Sequence, residues 1–119
     1  MEIETLWKRY AAIWSLDVDA RSTELTACLS PEIVYCDPNG TIEGQVALSE
    51  YMGGFQDSAP GARFEIRWVR DHHDRSLAHW ELCGPDDRVL QTGTSFGLRA
   101  PDGRLRSITG FFHPEGDAG

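Results

Sequence analysis

The hydrophobic period of this chain changes near residue 63, and this change limits the possible folds more than any other feature. Before it, apolar residues recur every three or four positions, which predicts helices over residues 2–15, 20–29 and 45–55. After it, apolar and polar residues alternate, which predicts half-buried strands near residues 63–70, 77–83, 89–100 and 104–113. Short turns separate these strands, so neighbouring strands are expected to pair antiparallel. We therefore expect an α+β fold with three helices on one face of a curved sheet.

Length and charge restrict the classes of partner. The chain has 119 residues and a formal net charge of −8. We expect one domain over residues 1–113 and a flexible tail over residues 114–119. The negative charge argues against nucleic acid, whose phosphates are bound by clusters of Lys and Arg. The apolar runs are too short to cross a membrane, and three widely spaced cysteines without a C-x-x-C pair favour a cytoplasmic location.

The segment Ile33-Val34-Tyr35-Cys36-Asp37-Pro38-Asn39-Gly40 carries the strongest chemical signal. A short apolar strand ends in a carboxylate, and Pro38 favours extended backbone at Asp37. Pro-Asn-Gly then supplies turn residues. Asp37 is therefore either a base at the mouth of an apolar cavity or a surface turn residue, and the sequence leaves both open.

The chain has more aromatic side chains than a small core requires, so these residues either fill a cavity or line it. We expect the cavity wall to include Trp14, Tyr51, Phe55, Trp68, Trp80, Phe96 and Phe112. Thr94 shares the alternation of Phe96, which makes it either a polar group of the wall or a β-branched strand residue. Phe111 and Phe112 face opposite ways, which leaves the inward phase of the last strand open.

No metal or cofactor is expected. His72 and His73 are adjacent, and no third ligand occurs at a helpful spacing. The sequence also lacks the glycine-rich loops that bind nucleotides and the nucleophile elbow of serine hydrolases.

Several short motifs are spread over nearly the whole chain, and they include Arg9-Tyr10-Ala11-Ala12, Val34-Tyr35-Cys36-Asp37-Pro38, Ile42-Glu43-Gly44, Gly93-Thr94-Ser95-Phe96 and Ile108-Thr109-Gly110-Phe111-Phe112. Together they resemble the nuclear transport factor 2-like superfamily, and within it the SnoaL-like and ketosteroid isomerase-like branch. The resemblance implies a cone-shaped sheet wrapped on three helices and often dimeric through its outer face. By position, Asp37 matches the general base of ketosteroid isomerases, and Tyr10 matches their oxyanion-stabilising tyrosine. Thr94 stands where those enzymes have a protonated aspartate, and Met52 replaces a supporting tyrosine.

These observations predict a small-molecule-binding protein with an aromatic cavity. If it is an enzyme, we expect a cofactor-independent isomerase, cyclase or dehydratase that uses Asp37 as its base, with Tyr10, on an apolar, polyketide-like or steroid-like substrate. The alternatives are a ligand-binding domain without catalysis and an association module of the same fold. We also expect a homodimer through the outer sheet face, where Leu77, Val69 and Phe111 lie in the phase opposite Trp68 and Trp80.

Overall fold

The computed structural model of the protein describes residues 1–114. The predicted tail lies outside the described residues, except for Pro114. The three helices are α1 (Ile3–Ile13), α2 (Val18–Cys28) and α3 (Gln45–Ser58). The six strands are β1 (Leu29–Asp37), β2 (Gly40–Glu43), β3 (Arg63–His72), β4 (Arg75–Cys83), β5 (Val89–Arg99) and β6 (Leu105–Phe112). Within these described residues, no helix is both long and apolar enough to cross a membrane.

All six strands form one sheet in the order β2-β1-β6-β5-β4-β3. The four later strands pair antiparallel in chain order, as the turns predicted. The first hairpin joins this meander because β1 runs parallel to β6, with Tyr35 opposite Ile108. The sequence did not predict this parallel pair. The expected α+β fold, with three helices packed on a curved and mostly antiparallel sheet, is confirmed.

Two tryptophans determine which residues of β5 face the helices. Trp80 lies so close to Gly93 that a Cβ there would be 2.1 Å from its ring. Trp7 lies over Gly97, where a Cβ would be 2.6 Å from its ring. Because the indoles need this space, the inward phase of β5 consists of Gly93, Ser95 and Gly97. All three of these residues are buried.

The expected inward positions of Thr94 and Phe96 are therefore wrong. Both side chains lie in the other phase of β5, which is the outer face of the sheet. Apolar alternation indicated correctly that β5 is a strand. It selected the wrong phase because the core at this point is filled by rings from other elements, and glycine accommodates those rings.

A β-bulge explains why Trp68 also differs from the expectation. Ile66 pairs with Trp80, whereas Trp68 pairs with His79, so one extra residue is inserted in β3 between them. The insertion turns Trp68 to the outer face, where it is 39% exposed. It also turns Val69 inward, opposite Ala78 and against the core, so the expected outer position of Val69 is wrong.

A buried polar cluster joins the three helices. Arg21 of α2 donates hydrogen bonds to the Leu16 carbonyl, Ser49 Oγ and Gln56 Oε1. Gln56 of α3 in turn donates to the carbonyls of Trp14 and Leu16, at 2.8 and 2.7 Å. The cluster therefore fixes α3 against the end of α1, which places Trp14 beside the residues of α3.

Candidate functional site

A cavity of about 680 Å³ lies between the helices and the inner face of the sheet. Six aromatic residues form its wall, namely Trp14, Tyr51, Phe55, Phe64, Trp80 and Phe112. Its polar lining comes from Asp37, Asn39, Glu50, Ser58 and Gln91. Five of the aromatic residues were predicted for this wall, and Phe64 was not. The cavity therefore joins a largely apolar surface to a few polar groups, as ligand sites usually do.

Contacts between rings hold the aromatic wall in place. Trp14 meets Phe55 edge to face, with centroids 5.4 Å apart, and meets Phe64 in the same way at 5.5 Å. Trp80 meets Phe112 edge to face at 5.8 Å. Such pairs stabilise each other by about 0.5–1.5 kcal/mol beyond the area that they bury. The wall is therefore a preformed surface.

Asp37 ends β1 and is 9% exposed. Its Oδ2 accepts hydrogen bonds from the hydroxyls of Tyr35, at 2.7 Å, and Tyr51, at 2.8 Å. Its Oδ1 accepts from the backbone N–H of Asn39 at 2.8 Å. Asp37 therefore anchors the turn after β1, and it is also buried and lines the cavity.

Strand and helix geometry bring the two tyrosines to this carboxylate. Tyr35 precedes Asp37 by two residues on β1, so the two side chains share one face of the sheet. Tyr51 reaches the same oxygen from α3. A carboxylate has about four lone-pair sites. The two hydroxyls occupy the sites of Oδ2, and among the described residues Oδ1 accepts only the Asn39 N–H.

The environment holds both tyrosines in the neutral form. Burial, and then the hydrogen bond to Asp37, raise the pKa of Tyr51 to about 12. Burial raises the pKa of Tyr35 far above its ordinary value, and the nearby Tyr10 and Asp37 act in the same direction. Both hydroxyls therefore keep their protons at neutral pH and remain donors.

The structure does not bring Tyr10 into the cavity with Asp37. Tyr10 is buried on α1 and lines a separate void of only about 40 Å³. Trp14, Phe64 and Trp80 line both spaces, so these rings form a shared wall. Burial raises the pKa of Tyr10 well above its ordinary value, and the charge of Asp37 adds to that rise.

Three predicted wall residues lie on the outer face instead. Trp68 stacks on His79 with ring centroids 5.4 Å apart. Thr94 Oγ1 lies 3.1 Å from Nε2 of His113 and 3.5 Å from Nδ1 of His79. Phe96 belongs to the same phase of β5 as Thr94. On β6, Phe112 lines the cavity and Phe111 is 61% exposed on the other face, which settles the open phase of the last strand.

Sequence reasoning missed several residues that line the cavity or support Asp37, and only some of them gave a signal. Phe64 lies two residues before Ile66 in the predicted alternation of β3, and both side chains face inward in the structure. Tyr35 stands two positions before Asp37 on a predicted strand. Asn39 was noted only as a turn residue, and Gln91 gave no signal beyond its place on β5. No group of three or more metal-binding side chains occurs within residues 1–114.

The protein is thus a domain in which a curved sheet and three helices enclose an aromatic cavity. The family model for the SnoaL-like domain matches residues 7–114, and this chain belongs to that family. The resemblance drawn from the sequence is thereby confirmed. No curated protein matches the sequence.

Solved structures show the same fold at low sequence identity. A candidate isomerase of the SnoaL-like family from Agrobacterium tumefaciens strain C58 is 24% identical, with a TM-score of 0.87 over 92% of this chain and 96% of that one. A candidate polyketide cyclase from Sinorhizobium meliloti is 20% identical, with a TM-score of 0.70 over 89% and 93%. A candidate SnoaL-like polyketide cyclase from Jannaschia sp. CCS1 is 15% identical, with a TM-score of 0.74 over 92% and 83%.

Proposed function

We propose that this protein binds one small apolar or weakly polar molecule in its aromatic cavity. The volume of about 680 Å³ lies within the range of about 300–1,000 Å³ that is usual for small-molecule sites. The wall is preformed and carries few polar groups, so it suits a body of fused or linked rings. Polyketide-like and steroid-like molecules have this character, and the names of similar folds point to the same class.

We further propose that Asp37 moves a proton on this molecule, as an isomerase, cyclase or dehydratase requires. The observation that carries the proposal is that a nearly buried carboxylate lines the cavity in a fixed orientation. Its Oδ1 retains a lone pair for the proton. No cofactor is needed, because a base that removes a proton beside a carbonyl can return it at another carbon.

Tyr51 is better placed than Tyr10 to stabilise the charge that develops on the substrate oxygen. Its hydroxyl is protonated at neutral pH and belongs to the cavity lining. A hydroxyl that turns from Asp37 to an enolate oxygen would act as an oxyanion donor. We therefore assign this role to Tyr51 in the proposed reaction.

A second candidate is binding without catalysis. The two tyrosine hydroxyls on Oδ2 favour binding without catalysis, because a carboxylate that holds Tyr35 and Tyr51 in place has a structural role that requires no proton transfer. Both candidates require the cavity to take a ligand, and only the first requires proton transfer.

Exchange of α-protons for deuterium separates the two candidates. In D₂O we expect the protein to accelerate this exchange in 2-tetralone, followed by NMR. The variant Asp37→Asn should lose the acceleration by about 100-fold or more. The matched control is Asp19→Asn, which removes an exposed carboxylate that does not line the cavity.

Folding of the variants is checked by their thermal unfolding transitions. A folded Asp37→Asn protein that exchanges as fast as the wild type contradicts the catalytic role. Ligand binding by a wild type that accelerates no exchange supports the second candidate.

We also propose a homodimer through the outer sheet face and a cytoplasmic location. Leu77 and Phe111 are 41% and 61% exposed there, beside Trp68, so the face carries apolar area that a second copy would cover. The three free cysteines suit a reducing compartment. Sedimentation equilibrium is expected to give twice the chain mass of 13.3 kDa, and a monomer at high concentration contradicts the dimer.

A further inference from the structure

The charged groups of the cavity all have the same sign. Asp37 and Glu50 line it, and among residues 1–114 no Lys, Arg or His side chain does so. The groove between α1 and β3 differs, because Lys8, Arg63 and Glu65 line it together. Apart from these two carboxylates, the polar side chains that line the cavity are neutral, although basic residues occur nearby on the surface.

Like the two carboxylates, the aromatic wall favours a positively charged ligand. The face of an aromatic ring is negative, so it attracts a cation within about 6 Å of the centroid, and Trp attracts it most strongly. Trp14 and Trp80 both belong to this wall. A ligand carboxylate or phosphate would instead meet two carboxylates and the apolar surface of six aromatic side chains in a partly desolvated space.

One acceptor position is left for a ligand at the nearly buried carboxylate. Tyr35, Tyr51 and the Asn39 N–H use three of the roughly four lone-pair sites of Asp37. The remaining site on Oδ1 can accept one N–H. A charge-assisted hydrogen bond of this kind is about twice as strong as a neutral one. Glu50 is exposed, and together with the net charge of −8 it attracts cations toward the opening.

We propose that the cavity selects a lipophilic ammonium ion, which is a protonated primary or secondary amine carried on a compact ring system. This inference rests on the second candidate function proposed above, binding without catalysis, because the ammonium group would occupy the Oδ1 position that a substrate proton needs. It names a ligand whose body is apolar and whose one polar group is a cation. The ring body occupies the aromatic wall, and the ammonium group donates to Asp37. Molecules of the same shape with a carboxylate or phosphate are rejected.

Three ligands of one shape test the selection. They are 2-aminotetralin, 2-tetralol and tetralin-2-carboxylate, which share one ring body and carry at the same position a cationic, a neutral or an anionic group near neutral pH. Binding is measured near neutral pH from the change in intrinsic tryptophan fluorescence, to which Trp14 and Trp80 of the cavity wall contribute. We expect the amine to bind about 10-fold more tightly than the alcohol, because the alcohol can donate only a neutral hydrogen bond to Asp37. The carboxylate should bind more weakly than the alcohol.

The ratio of amine affinity to alcohol affinity identifies the groups responsible. This ratio should fall in Asp37→Asn and, by a smaller factor, in Glu50→Gln, whereas Asp19→Asn should retain it. A merely structural role for either carboxylate would lower both affinities together and leave the ratio unchanged. Glu50 is exposed, so Glu50→Gln keeps the test usable if Asp37→Asn does not fold.

The outcomes separate this inference from the function on which it rests. If the alcohol or the carboxylate binds as tightly as the amine, the ammonium selection is overturned and the binding function stands. If none of the three ligands binds, the binding function fails and the inference fails with it. An amine preference that is equal in all variants overturns the assignment to Asp37 and Glu50.

Discussion

The two faces of the sheet use tryptophan in opposite ways. On the inner face Trp80 is 7% exposed, lies over Gly93 and donates its indole N–H to Ser95 Oγ at 3.1 Å. On the outer face Trp68 is 39% exposed, stacks on His79 and lies under the Arg70 guanidinium at 5.3 Å. The inner ring therefore belongs to the core and the cavity wall, whereas the outer ring belongs to a stack at the surface.

This contrast shows what side-chain size contributes beyond apolar alternation. The inner face of β5 is made of small residues because the indoles of Trp7 and Trp80 already fill the space above them. The outer face carries the larger side chains Thr94 and Phe96 because nothing from the helices packs there. Size complementarity between elements, and not the hydrophobicity of one strand, selects the inward phase.

The largest expected difference between the faces comes from truncating the two tryptophans. Trp80→Ala should lower the free energy of unfolding by about 3–5 kcal/mol, because it leaves a cavity in the core. Trp68→Ala should lower it by about 1 kcal/mol, because only stacking contacts are lost. Urea unfolding at low protein concentration measures both values without a contribution from association.

The same pair of variants also tests the proposed dimer. Trp68→Ala should weaken association in sedimentation experiments, since Trp68 lies on the outer face with Phe111 and Leu77. If Trp68→Ala costs as much stability as Trp80→Ala in the monomer, the outer position of Trp68 is contradicted.

Most of the fold could be predicted because it depends on local patterns. The 3.6-residue period identified α1, and the turns identified the hairpins of β3 to β6. The parallel contact between β1 and β6 could not be predicted, because it joins residues about 70 positions apart and leaves no local pattern. The bulge at Trp68 could not be predicted either, since one inserted residue reverses the facing of everything that follows it.

The site was predicted in part for the same reason. Asp37 was identified because it ends a strand before a proline, which is a local signal. Its partners Tyr35 and Tyr51 come from a strand and a helix, and only the packing of α3 on the sheet brings their hydroxyls to one oxygen. Tyr10 was assigned to the wrong space. The apolar stripe of α1 predicts that its side chain faces inward, but it does not determine whether that side chain reaches the cavity or the separate small void.

The second prediction concerns how the stability of the protein falls at alkaline pH, where the partly buried hydroxyl of Tyr51 loses its proton. Its pKa is about 12 in the folded protein against an ordinary tyrosine pKa of 10.0, so the unfolded chain releases this proton first. The stabilising contribution is therefore complete below about pH 10 and is lost as the pH rises to about 12. Tyr51→Phe should lose less stability than the wild type over this range, as measured by urea unfolding. Equal losses in the two proteins would contradict the raised pKa of Tyr51, which burial causes first and the hydrogen bond to Asp37 second.

The smallest expected effects come from adjacent hydroxyls on opposite faces of β5. Ser95→Ala removes the acceptor of the buried Trp80 N–H and should lower the free energy of unfolding by about 1–2 kcal/mol. Thr94→Val removes contacts with His113 and His79 on the half-exposed outer face. It should change the free energy by no more than about 0.5 kcal/mol, because water replaces those contacts and valine suits a strand. Urea unfolding of both variants under one set of conditions gives the comparison. A larger loss for Thr94→Val than for Ser95→Ala would mean that Thr94 faces the helices, which would return Thr94 and Phe96 to the cavity and reverse the assignment of the two faces.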